Sequence, residues 1–84
     1  MEKFRLKNEF IAYEDNENYV VFNLIEEKFY ILNDTAKIIF NMINSDEKEI
    51  IKNIKDNFGE IPTDIMEIVL NFKKELVRKF FIYE

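Results

Sequence analysis

Apolar positions form short alternating or continuous blocks as far as residue 32 and recur with a helical period from residue 36 onward. Phe4-Arg5-Leu6 alternates and Ile11-Ala12-Tyr13 resumes the alternation, which predicts an N-terminal strand interrupted near Asn8. Residues 14–18 are polar and read as a loop. Residues 19–24, rich in aromatic and β-branched side chains, predict a strand, and residues 29–32 predict another. The turn between them, 25–28, has no Gly and no Asn-Gly, so a wide loop fits better than a two-residue primed turn.

Asn33 and Asp34 stop the last strand, and their short side-chain oxygens can cap a helix. Ala36, Ile39, Phe40 and Ile43 then follow at i, i+3, i+4 and i+7, predicting a helix over about 34–44. Asp46 with Glu49 has the form of a capping box, and Ile50, Ile51, Ile54 and Phe58 make a second amphipathic helix. Gly59, the single glycine, stands where a left-handed C-cap is expected. Pro62-Thr63-Asp64 opens the longest helix, about 63–80, with Thr63 as N-cap. Ile65, Val69, Phe72, Leu76 and Phe80 form one stripe on it, and Met66, Leu70 and Val77 form a second beside it. Phe81-Ile82-Tyr83 is an apolar tail expected to fold back onto the hairpin. Strands followed by helices predict an α+β domain over residues 1–84: a three-stranded antiparallel sheet, then three helices, in a winged-helix-like order.

Eighty-four residues, nine Phe and four Tyr among them, allow one modest core built on aromatic rings. The net charge of −5 argues against a general nucleic-acid binder. Residues 1–33 carry seven acids against four bases, whereas the last 23 residues are balanced and hold Lys73, Lys74, Arg78 and Lys79 close together. That basic cluster has two readings, a complement to the helix dipole and a binding surface. The N-terminus lacks the apolar core of a signal peptide and no run is long enough to span a bilayer, so a cytoplasmic protein without a membrane segment is expected.

Chemistry is scarce. With no His and no Cys, and with Ser45, Thr35 and Thr63 at capping positions, a nucleophile has no base to activate it. One glycine cannot build a phosphate loop. Asp15, Glu17 and Glu26 match three places of a calcium loop, but its sixth place is Val20 inside a predicted strand. The acidic pairs lack apolar surroundings that would raise a pKa. No catalysis, metal or cofactor is expected. What remains is binding.

Residues 30–40, Tyr-Ile-Leu-Asn-Asp-Thr-Ala-Lys-Ile-Ile-Phe, resemble the Tyr-x-Leu-Asn-x-Thr-Ala-x-x-Ile-aromatic junction of the PqqD family. The similarity extends to the strand at 19–24, the helix with Ile50 and Ile54, and a last helix with an apolar tail. Phe40 stands where Trp is common, and the hairpin turn lacks the usual Gly. The resemblance implies a recognition element of ribosomally synthesised, post-translationally modified peptide pathways. Such an element binds the leader of a precursor peptide and presents it to a modifying enzyme, such as a radical SAM maturase, a cyclase or a leader peptidase.

In that family the leader adds as a strand beside the last strand, in a cleft closed by the third helix. Carried onto this chain, the edge is Lys28-Phe29-Tyr30-Ile31, with Leu32 in the core. Phe29 and Ile31 share a face that lines the cleft or belongs to ordinary sheet core. Met66, Val69, Leu70, Lys73, Lys74 and Val77 are the expected opposite wall, with the two lysines available to leader carboxylates. For Met66, Leu70 and Val77, packing on the tail or the N-terminal strand is the competing reading. A winged-helix nucleic-acid binder and a homo-oligomeric assembly module remain the alternatives; a monomer or weak homodimer is expected.

Overall fold

A computed structural model describes residues 3–84; Met1 and Glu2 lie outside the described residues. The change of period at Asn33 is a change of structure. Before it run β1 (Phe4–Leu6), β2 (Phe10–Asp15), β3 (Asn18–Asn23) and β4 (Lys28–Leu32). After it come α1 (Asp34–Asn41), α2 (Glu47–Phe58), α3 (Ile65–Phe80) and a short β5 (Phe81–Tyr83). The fold is α+β, an N-terminal antiparallel sheet followed by three helices.

β2, β3 and β4 form the antiparallel sheet, in that order. The polar stretch at 14–18 is mostly strand: Asp15 pairs with Asn18, leaving Asn16 and Glu17 as the turn. Asn16 has φ 57°, a conformation that Asn tolerates better than most residues. The turn from β3 to β4 is wide, as its composition predicts. Asn23 organises it: the side-chain oxygen accepts from the amides of Ile25 and Glu26, each at 2.9 Å. That satisfies a polar side chain buried to 5% exposure.

The N-terminal strand is split in two. β1 leaves the sheet and pairs antiparallel with β5, matching Phe4 to Tyr83 and Leu6 to Phe81. The tail therefore folds onto β1, and not onto the hairpin. The physical reason is the tail's continuity with α3, since Lys7 donates to the Phe80 carbonyl at the point where the helix ends. The Asn44 side chain holds β1 from its other side through both backbone polar groups of Phe4.

Asn33 and Asp46 cap α1 and α2, accepting from the amides of Ala36 and Glu49. Gly59 ends α2 at φ 82°. Thr63 does not cap α3: the helix starts at Ile65 after a turn closed by the Pro62 carbonyl, and the N-cap position is Asp64.

The core lies between the sheet's inner face and the helices, with Phe80 (1% exposed) at its centre. Phe10 and Tyr30 meet the Phe80 ring edge-on at 5.0 and 5.3 Å, and Tyr19 meets Phe40 at 5.7 Å. Ile39, Ile50, Ile54, Val69 and Leu76 complete this core from the three helices. Among the described residues no helix is long and apolar enough to cross a membrane.

Candidate functional site

β4 pairs with β3 alone, so among the described residues its other edge has no strand partner. Every second residue of an antiparallel edge strand points its N–H and C=O away from its neighbour. That edge borders a groove of about 260 Å³ between β4 and α3. Ile31, Leu32 and Asn33 form its near wall, Ala36 lies at its α1 end, and Phe72, Glu75, Leu76 and Lys79 form its far wall. A second hollow of about 320 Å³ continues it along α3 past Ile68, Asn71 and Phe72. The strand edge and the apolar groove are thus one feature.

Alternation along β4 decides which side chains enter. Tyr30 and Leu32 are half-buried on the inner face, and Tyr30 packs on Phe80. Phe29 and Ile31 stand on the outer face at 64% and 59% exposure. They are not sheet core. Ile31 still borders the groove, while Phe29 does not. Lys28 opens the strand and pairs with Glu26 at 3.7 Å on the surface.

The far wall comes from one flank of α3, and the Met66–Leu70–Val77 stripe lies on the other. Val69, Leu76 and Phe80 face the core, which fixes the helix's rotation. Phe72, Glu75 and Lys79 then turn toward β4, and Met66 and Leu70 turn toward the start of α2. There they border a different hollow with Asp46, Glu47 and Lys48. Val77 is half-buried against the core and Val69 is fully buried. Lys73 donates to the Ser45 carbonyl and to Glu47, both at 3.3 Å, fastening the α1–α2 connection to α3. Lys74 is exposed on α3.

Ala36 and Phe72, which the helical stripes assign to the core, and Lys79 of the basic cluster line the groove, together with Glu75, which no sequence pattern singled out. A signal existed in Ile68, Phe72, Glu75 and Lys79, which follow one another at i, i+4, i+7 and i+11 on a single flank. Two of them are charged, so the row does not read as an apolar stripe.

The groove's electrostatics are local. Lys79 lies over the Tyr30 ring at 5.0 Å, a cation–π contact that holds its ammonium at the mouth. Glu75 accepts from Arg78 at 2.6 Å, and that bond, with the guanidinium's charge, holds its carboxyl below the usual range. Among the described residues no cluster of His, Cys, Asp or Glu could hold a metal ion.

No curated protein and no solved structure matches the chain. One family model does, that of coenzyme PQQ synthesis protein D, over residues 18–82. The match runs from the start of β3 into β5 and so contains the free strand edge, the groove and its α3 wall. By that match the chain belongs to the PqqD family.

Proposed function

We propose that the protein is a non-catalytic carrier for the leader segment of a ribosomally made precursor peptide. The leader adds as a fourth strand on the free edge of β4, with alternate side chains entering the groove against α3. The carrier then presents the peptide to a modifying enzyme or leader peptidase. The observation that carries this reading is the coincidence of an unpaired strand edge and an apolar groove, with family membership in support.

Magnitudes say why both are needed. Ordering about six leader residues costs roughly 6–12 kcal/mol of backbone entropy. Four main-chain hydrogen bonds return about 2–6 kcal/mol net. Two or three leader side chains, each worth about 1.5–3 kcal/mol when buried, make up the difference. Leu32, Ala36, Phe72 and Leu76 offer them apolar surface.

The test is fluorescence anisotropy with labelled leaders from short reading frames encoded beside this protein. Saturable binding near micromolar should weaken at least about tenfold in Ile31→Asp, a loss of roughly 1.4 kcal/mol or more. Leu70→Asp, on the other flank of α3, should bind as the parent does. Equal binding by parent and Ile31→Asp would remove β4 from the site.

A further inference from the structure

The helices cover one face of the β2–β3–β4 sheet, and the other is apolar as well. Cross-strand register places two rows of three side chains on that outer face: Ile11, Phe22 and Phe29, then Tyr13, Val20 and Ile31. Ile11 and Tyr13 on β2 are 44% and 42% exposed, Phe29 and Ile31 on β4 more so, while Val20 is shielded by its neighbours. A sheet face of this kind is ordinarily buried under another layer. The hairpin ends that bound it are acidic: Asp15 and Glu17 lie at one end, Glu26 and Glu27 at the other. The adjacent base, Lys28, is taken up by Glu26. Among the described residues Asp15, Glu17 and Glu27 have no ion-pair partner.

We propose that this outer face docks one amphipathic helix of a partner protein, with an apolar stripe along it and Lys or Arg at both ends. Size favours a single helix. The outer two strands are about 10 Å apart, close to the roughly 10–12 Å diameter of a helix with its side chains. Six-residue strands run about 20 Å, the length of roughly 13 helical residues. Charge selects the partner's ends, because a basic residue there meets an acidic hairpin end. A second copy of this chain would instead bring two sets of acidic ends together. Helix and leader take different sides of β4, face and edge, and meet at Ile31, which borders both.

The probe is a labelled synthetic helix of about 16 residues, with one leucine stripe and lysines at both ends, alongside its glutamate-ended counterpart. Anisotropy should give saturable binding of the lysine-ended helix and at least about tenfold weaker binding of the other. The double variant Ile11→Ser/Tyr13→Ser, on the strand farthest from the groove, should lose about tenfold or more while keeping the parent's circular dichroism. Asp15→Asn/Glu17→Gln, confined to an exposed turn and strand end, should flatten the salt dependence of binding. Equal binding of both helices, or binding indifferent to the β2 variant, would overturn the proposal. So would sedimentation that reveals a dimer abolished by Ile11→Ser/Tyr13→Ser, which would assign the face to a second copy.

Discussion

Asn23 is the polar residue on which the hairpin turns. Its buried oxygen serves two amides of the exposed turn, so Asn23→Ala removes both hydrogen bonds and should cost about 1–3 kcal/mol in urea unfolding. Gly59 offers a contrast. A Cβ there would meet nothing within 4 Å, yet φ is +82°, so Gly59→Ala should cost about 1–2 kcal/mol through backbone strain alone. A neutral Gly59→Ala would contradict the strained C-cap.

Titration also belongs to single residues. The hydrogen bond to Glu14 raises the Lys37 pKa, so its contribution is complete below the ordinary lysine value and lost as pH rises through the folded one. The Glu75 pKa is lowered by Arg78, so its contribution is present above the ordinary glutamate value and lost as pH falls through the folded one. Both groups are surface-exposed, so each effect is small. The chain has no His and no Cys, the side chains whose ordinary pKa values lie nearest neutrality. Urea unfolding should therefore give the same stability from about pH 6 to 8, and a slope in that window would contradict this.

Among elements, those with local causes were readable in the sequence. The caps at Asn33 and Asp46 and the Gly59 stop each lie within a few residues of what they control. The rotation of α3 was not readable, because apolar residues lie on both flanks of its core stripe. Ile68 and Phe72 extend the stripe on one side, Met66 and Leu70 on the other. Packing of Val69, Leu76 and Phe80 on the sheet chooses between them. The strand before α1 was readable in its run of aromatic and aliphatic residues, whereas the helix flank facing it needed that packing. The Thr63 cap failed for a local reason, the turn closed by the Pro62 carbonyl.

At the scale of the whole molecule, the first and last strands close on each other. β5 is separated from β1 by nearly the full chain, and no local pattern encodes that pairing. Its anchor is Phe81, buried to 8% and 5.0 Å from the Phe40 ring. Phe81→Ala should cost about 3–5 kcal/mol, a large part of the stability of so small a domain. The groove depends on the same closure, because Phe80 and Lys79 immediately precede β5. Leader binding should therefore weaken in Phe81→Ala although no leader atom is expected to touch that ring.

Backbone amide hydrogen exchange with and without a bound leader tests the added strand most directly. Alternate amides of β4, residues 28–32, should exchange more slowly with leader present, while the free edge of β2 is unchanged. Protection confined to β2, or to the Met66–Leu70 flank of α3 and the start of α2, would contradict strand addition at β4.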